Sequence, residues 1–219
     1  MVITLKQAQQ NAGKLSHKNS KMPGTTFPTT TQKCITGGAL KKVPGSVCAK
    51  CYAARLEAYR DSVRQGWIKN WDITHQAILE NPDKWVDGIV YQINHFFKKT
   101  GTPFHRWFDS GDLYNVDWLI AIARVSRRTP DVTHWLPTKE KAIVKEYYRK
   151  HRKPANLIIR VSSAMVDGKP LDGFSHTSTV HKTGPVHGFR CMARTRGNAC
   201  GDCRACWDPT IKNIGYDYH

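Results

Sequence analysis

The fold is decided by the stretch from residue 103 to residue 163, in which short apolar runs alternate with helical patterns. The runs read Pro103-Phe-His-Arg-Trp-Phe108, Val132-Thr-His-Trp-Leu136 and Asn156-Leu-Ile-Ile-Arg-Val-Ser162. Their length and their β-branched and aromatic content predict strands. Helical patterns over about residues 116–128 and 139–151 separate them. This alternation predicts βαβ units, a parallel sheet and the α/β class.

The chain on either side of this stretch extends the prediction to a single domain. Residues 52–78 have apolar side chains at helical spacing, and a second helix is predicted over 82–99 with Pro82 at its first position. Residues 1–33 are polar and basic and are predicted to form an N-terminal arm or loop. Residues 164–219 are predicted to be rich in loops, and no linker divides the chain.

The composition favours an anionic partner. The 219 residues carry a net charge of +17, from 34 Lys and Arg against 17 Asp and Glu. Such an excess attracts polyanions, of which nucleic acid is the commonest, although a generally basic surface is the alternative. The candidate residues for nucleic-acid contacts are Lys14, Lys18, Lys21, Arg55, Arg64, Arg106, Lys139, Arg194 and Arg196.

The N-terminal sequence predicts a location in the cytoplasm. Met1-Val-Ile-Thr-Leu-Lys6 lacks the long apolar region of a signal peptide, and no run is long enough for a membrane span. We therefore expect a soluble protein in a reducing compartment with no membrane partner. The oligomeric state is left open.

The end of the chain holds the strongest candidate for a metal site. Four of the seven cysteines are Cys191, Cys200, Cys203 and Cys206, and the last three are spaced C-x2-C-x2-C. Cysteine runs of this kind bind [4Fe–4S] clusters. Zinc bound by four cysteines is the alternative. Disulfides are disfavoured because the number of cysteines is odd and no secretory signal precedes them.

A second set of cysteines lies near the N-terminus. Cys34 is followed by Cys48 and Cys51, and the latter two open the first predicted helix. Amides at a helix start favour the thiolate form. Three cysteines suit a cluster with one open iron, or a zinc ion completed by a histidine. The alternative is a set of buried structural thiols.

Two aspartates are the candidate catalytic residues. Asp109 and Asp112 lie three apart in a glycine-containing turn directly after a predicted strand. Paired carboxylates at a strand end can hold Mg²⁺ or Mn²⁺, which activate water for phosphodiester cleavage. The alternative is that Asp109 caps the next helix or pairs with an arginine.

Several motifs together resemble the phage "gene product 88" family. They are Cys48-Ala-Lys-Cys51-Tyr-Ala53, Arg106-Trp-Phe-Asp109-Ser-Gly-Asp112, Trp135-Leu-Pro-Thr-Lys139 and Gly197-Asn-Ala-Cys200-Gly-Asp-Cys203-Arg-Ala-Cys206-Trp207. The resemblance implies a viral protein with a partial or distorted (β/α) barrel core and a bound iron–sulfur cluster. It also implies a role in DNA processing, as a flap-type nuclease.

The N-terminal cysteines are similar in part to the cluster loop of radical S-adenosylmethionine enzymes. The usual loop of those enzymes is C-x3-C-x2-C, whereas thirteen residues separate Cys34 from Cys48 here. The main prediction is therefore a structure-specific DNA nuclease with a [4Fe–4S] cluster. A radical enzyme at Cys34, Cys48 and Cys51 is the alternative, as is a non-catalytic DNA-binding protein stabilised by a cluster or zinc.

Overall fold

The computed structural model describes residues 3–17 and 21–218, and its centre is a sheet of seven parallel strands. The strands are β1 (Thr25–Phe27), β2 (Phe104–Trp107), β3 (Thr133–Thr138), β4 (Leu157–Val166), β5 (Thr177–His181), β6 (Phe189–Arg190) and β7 (Asn213–Asp217). Their order in the sheet is β1-β2-β3-β4-β5-β7-β6. The predicted α/β class with a parallel sheet is confirmed.

Seven α-helices accompany the sheet in the described residues. They are α1 (Leu5–Ala12), α2 (Ile35–Leu40), α3 (Tyr52–Tyr59), α4 (Asp61–Glu80), α5 (Pro82–Thr100), α6 (Val116–Arg128) and α7 (Lys141–Lys150). Pro82 opens α5 as predicted, and the Asn81 side chain accepts from the amide of Lys84. The single helix predicted over 52–78 is two helices, because Arg60 adopts an extended conformation between them. None of the described helices has the length and apolarity needed to span a membrane.

The two faces of the sheet carry different layers. On β2, His105 and Trp107 are buried on the face that packs against the helices, where the larger hydrophobic core lies. Phe104 belongs to a smaller cluster on the other face, which includes Trp135 and Trp207. Because side chains alternate along a strand, the second face takes Phe104 and Arg106. Residues 191–211, here called the C-terminal segment, therefore cover this second face, which is called the inner face of the sheet below.

The N-terminal prediction needs correction, because residues 1–33 contain α1 and β1. Ala8 and Ala12 are fully buried, and α1 packs on α5. The contact is close because Gly88 lacks a side chain: a Cβ there would lie 2.8 Å from the Cβ of Ala12. Strand β1 pairs with β2 over only three residues, which is too short for a periodic signal. The predicted loop-rich segment 164–219 likewise contains β5, β6 and β7.

The sheet has β1 and β6 as its edge strands. Within the part of the chain that the structure describes, no pairing joins these two strands, so closure into a barrel is not established. All strands run in the same direction, and their carboxyl ends therefore meet at one edge. This is the edge where sheets of this kind bind ligands.

Candidate functional site

A cleft of about 390 Å³ lies at the carboxyl edge of the sheet. Side chains from the ends of β2, β3, β4, β5 and β7 form one side of it. The segment that contains α2 and the start of α3 forms the other. The polar and sulfur-containing side chains that line it include Cys34, Cys48, Cys51, Tyr52, Arg106, Asp109, Asp112, Lys139, Ser163 and Tyr216. The two predicted catalytic aspartates and three of the seven cysteines thus share one cleft.

Asp112 connects the loops that follow β2 and β3. The Thr138 hydroxyl donates to Oδ1 at 2.6 Å, and the backbone amide of Leu113 donates to the same oxygen at 2.8 Å. The amide of Lys139 donates to Oδ2 at 2.9 Å. Burial raises the pKa of Asp112 to about 6. Both carboxylate oxygens are already engaged, so Asp112 orders the wall of the cleft.

Asp109 has a different set of partners. Its Oδ2 accepts from the Thr26 hydroxyl at 3.1 Å. Burial raises its pKa, although nearby Arg106 acts in the opposite direction. The Arg106 guanidinium lies 4.6 Å from the centre of the Trp135 ring, on the floor of the cleft. The aspartates line one cleft but bind separate partners, and a shared divalent metal stays a prediction.

The N-terminal cysteines meet at the mouth of the cleft. The thirteen residues between Cys34 and Cys48 contain α2, which folds the chain back on itself. A Cβ on Gly37 would lie 3.8 Å from the Cys34 sulfur and 3.6 Å from the Cys48 sulfur. Burial raises the pKa of Cys34 and of Cys48, with a further contribution from the neighbouring Cys51. The long interval in sequence therefore does not separate these cysteines in space.

Lys139 provides a cation next to this group. Its Nζ donates to the backbone oxygen of Ser163 at 2.9 Å. Burial lowers the pKa of Lys139, and its charge lowers the pKa of Cys48. The ammonium opposes the effect of burial without cancelling it, so the pKa of Cys48 stays above its usual value. The thiolate form predicted for cysteines at a helix start is therefore not favoured at this position.

The four C-terminal cysteines line a separate, small cavity of about 20 Å³, formed by Cys191, Cys200, Cys203, Cys206 and their neighbours. Burial raises the pKa of Cys206 to about 12 and also raises the pKa of Cys191 and Cys200. The Cys206 sulfur lies 3.3 Å from the Tyr216 hydroxyl. All seven cysteines are free thiols, so the expectation that they are not paired as disulfides agrees with the structure.

Arg160 fixes this C-terminal segment to the sheet. Its guanidinium is buried and donates to four backbone oxygens, those of Ala205, Cys206, Asp208 and Ile211, at 2.8 to 3.1 Å. Trp207 adds a second anchor, since its Nε1 donates to the backbone oxygen of His105 at 2.9 Å. The sequence contains a signal for this role of Arg160, because a charged residue inside an apolar strand must find hydrogen-bond partners when it is buried.

The arrangement of the cysteines bears on which metal group they suit. In the described residues, no group of three or more His, Cys, Asp or Glu could hold a single metal ion. A tetrahedral zinc site needs sulfurs about 3.8 Å apart, given zinc–sulfur bonds of about 2.3 Å. A [4Fe–4S] cluster attaches each thiolate to a different iron and therefore takes sulfurs that are further apart. As placed in the described residues, the four C-terminal cysteines do not form a site for a single ion, and a cluster bound by them stays a prediction.

The predicted nucleic-acid residues do not form one surface. Arg106 and Lys139 lie in the cleft, whereas Arg55 lies on α3 and Arg64 lies in the first turn of α4, where it pairs with Asp61. Others lie around the C-terminal cysteines: Arg194 donates to the Tyr218 backbone oxygen, Arg196 donates to that of Cys200, and the Lys21 backbone oxygen accepts from the Cys200 amide. The Lys14 amide donates to the Asn70 side chain of α4, and Lys18 lies outside the described residues.

Comparison with known proteins points to one family. The family model described as "Gene product 88" matches residues 4–209. The "Gene 88 protein" of Mycobacterium phage D29 is 24% identical over 181 residues, which cover 73% of this chain and 74% of the relative. That of Mycobacterium phage L5 is 29% identical over 94 residues, 42% of this chain and 39% of the relative. No solved structure gives a significant match.

Proposed function

The chain belongs to the Gene product 88 family, and from that premise and the geometry of its cleft we propose that it is an iron–sulfur redox enzyme. The observation that carries this proposal is the meeting of Cys34, Cys48 and Cys51 at the mouth of the cleft. Three thiolates bind three irons of a [4Fe–4S] cluster and leave the fourth iron open to a ligand.

The remaining cleft residues support an open iron. No histidine and no fourth cysteine lines the cleft in the described part of the chain. The Asp112 carboxylate also lines the cleft, but both of its oxygens already accept hydrogen bonds. The fourth ligand of the cluster would therefore come from a bound small molecule. A volume of about 390 Å³ lies within the usual range for small-molecule sites.

The ligand that this site suits is S-adenosylmethionine. When bound, the cluster would supply one electron, drawn from an external reductant, to cleave the bond between the sulfonium sulfur and the 5′ carbon. This gives methionine and a 5′-deoxyadenosyl radical, which takes a hydrogen atom from a substrate and becomes 5′-deoxyadenosine. Gly37 leaves room beside the sulfurs, and Lys139 offsets the charge of the thiolates. Arg106, stacked on Trp135, provides a cationic floor for the ligand.

The C-terminal cysteines have a separate role in this proposal. Cys191, Cys200, Cys203 and Cys206 would hold a second [4Fe–4S] cluster, closed by four protein ligands, that locks the C-terminal segment onto the inner face of the sheet. Binding that exists only in the folded chain adds to folding stability. The sheet would form a partial (β/α) barrel around this segment. A phage protein of this kind would act in the cytoplasm of the host, where thiols stay reduced.

The test is reductive cleavage of S-adenosylmethionine by anaerobically purified protein. With dithionite as reductant, we expect methionine and 5′-deoxyadenosine, measured by mass spectrometry, and no products from Cys48→Ala. Gly37→Ala places a methyl group 3.2 Å from the Cys34 Cβ, so Cys34 must shift, and cleavage should fall about tenfold. Gly38→Ala is the matched control, because a Cβ there meets no atom within 4 Å. Wild-type protein that carries iron but cleaves no S-adenosylmethionine contradicts the proposal.

A structure-specific DNA nuclease is the second candidate function. The net charge of +17 favours it, as does the position of Asp109 and Asp112 in the same cleft. It requires Mg²⁺ or Mn²⁺ at these carboxylates. The test is cleavage of flapped DNA with and without Mg²⁺. Loss of that cleavage in Asp112→Ala supports the nuclease, whereas salt-sensitive DNA binding without turnover supports a purely DNA-binding protein.

A further inference from the structure

Helix α3 turns an apolar stripe to solvent beside the mouth of the cleft. Leu56 and Tyr59 are 40% and 85% exposed. Tyr52, one turn earlier, is 47% exposed, and its hydroxyl donates to the backbone oxygen of Asp109. Spacings of four and three residues align the three side chains on one face of the helix. Exposed apolar residues grouped in this way are typical of a contact surface.

The other face of α3 fixes the orientation of this stripe. Glu57 is buried, and its carboxylate accepts from the hydroxyls of Thr30 and Thr31 and, at 3.0 Å, from the Thr31 amide. Ala53 is buried on the same side. Ala53 and the Glu57 carboxylate therefore fix which face of α3 points into the protein, and Leu56 and Tyr59 lie on the opposite face.

The chain around the cleft mouth is strongly basic. Residues 33–64, here called the rim, contain seven Lys and Arg against two acidic residues. Of the two acids, Glu57 points into the protein and Asp61 pairs with Arg64. Arg55 and Arg60 are exposed and form no ion pair in the described residues. The rim thus presents positive charge that the protein does not neutralise.

We propose that the rim binds single-stranded nucleic acid and holds an unpaired nucleotide over the cleft. Exposed tyrosines give bases a surface for stacking, and flanking arginines contact phosphates. A duplex hides the faces of its bases, so the exposed ring of Tyr59 suits unpaired ones. This inference rests on the proposed function for the chemistry in the cleft and names its substrate class, but the binding is measurable without turnover.

The test is fluorescence anisotropy of a labelled oligothymidine of about 20 nucleotides, long enough for the usual single-strand sites, with anaerobically purified full-length protein. We expect Tyr59→Ala to weaken binding about tenfold, as expected for one lost stacking contact. Arg55→Glu should also weaken binding and lower the salt slope by about 1. Tyr148→Ala and Arg149→Glu, in the last turn of α7 at the opposite edge of the sheet, should leave binding unchanged.

Three results would overturn this assignment. One is wild-type protein that does not bind the oligonucleotide. Another is an equal loss of affinity in the α7 variants, which means that general surface charge is responsible. The third is a rim that binds vesicles of anionic lipid, with Tyr59→Ala weakening vesicle binding but not oligonucleotide binding. Failure of the redox proposal looks different, because oligonucleotide binding then persists while S-adenosylmethionine is not cleaved.

Discussion

The two cysteine regions differ in how the protein surrounds them. Cys34, Cys48 and Cys51 border an open cleft of about 390 Å³ and come from short helical turns at the edge of the sheet. The four C-terminal cysteines surround a cavity of about 20 Å³ on the inner face of the sheet. The first region leaves space for a ligand, whereas the second leaves little, with Cys206 buried and Cys191, Cys200 and Cys203 half-buried.

The supports of the two regions explain this difference. The C-terminal segment has little regular structure of its own, and Arg160 and Trp207 tie it to the strands through buried hydrogen bonds. The N-terminal cysteines instead belong to the exposed rim, and Lys139 lies beside them. A site packed against the face of the sheet contributes to folding, and a site at the carboxyl edge of the strands is available for chemistry.

The largest effect should come from removing one cysteine in each region. In the cluster-loaded protein we expect Cys206→Ala to lose most of the folding free energy, which is about 5–15 kcal/mol for a domain. Cys48→Ala should keep the fold and lose the chemistry of the cleft. Urea denaturation followed by circular dichroism measures the stability of both variants, and cleavage of S-adenosylmethionine measures the chemistry of the cleft. Equal midpoints for the two variants contradict the division of roles.

A smaller effect should follow from replacing the anchor of the C-terminal segment. Arg160→Met leaves several buried carbonyls without a charged donor and should cost about 3–5 kcal/mol. Arg190→Met is the matched control, because it removes only a partly exposed ion pair with Asp217, worth about 0–1 kcal/mol. Similar urea midpoints for the two variants would show that Arg160 does not hold the segment.

The smallest effect concerns the side chain that contacts both regions. The Tyr216 hydroxyl lies against the Cys206 sulfur, and the residue also lines the cleft. Tyr216→Phe removes a hydrogen bond to sulfur, which should cost about 1 kcal/mol and shift the potential of the closed cluster to a more negative value. Tyr218→Phe, also in the cleft lining, should leave that potential unchanged. Unchanged potentials in both variants contradict a role for this bond.

The sequence predicted the part of the fold in which strands and helices alternate. The strands around His105, Trp135 and Ile158 and the helices between them have clear periodic patterns. Strands β1 and β6 have three and two residues, too few for any period, and they belong to the sheet only through pairing with distant strands.

The site was predicted in its residues but not in its grouping. Cys34, Cys48 and Cys51 were predicted as one possible metal-binding set and Asp109 and Asp112 as a separate catalytic pair. The interval between the first two cysteines argued only against the loop of radical enzymes. Helix α2 shortens that interval in space, and sequence spacing alone does not reveal such a return. Arg160 was missed because its partners are backbone oxygens far along the chain.

The most direct measurement is the iron and sulfide content of anaerobically prepared protein in which Cys34, Cys48 and Cys51 are all replaced by alanine, compared with wild type. Two [4Fe–4S] clusters predict about eight irons per wild-type chain and about four in the triple variant, with the fold retained. The same iron content in both proteins would mean that the N-terminal cysteines bind no cluster, and the account of the cleft would then be wrong.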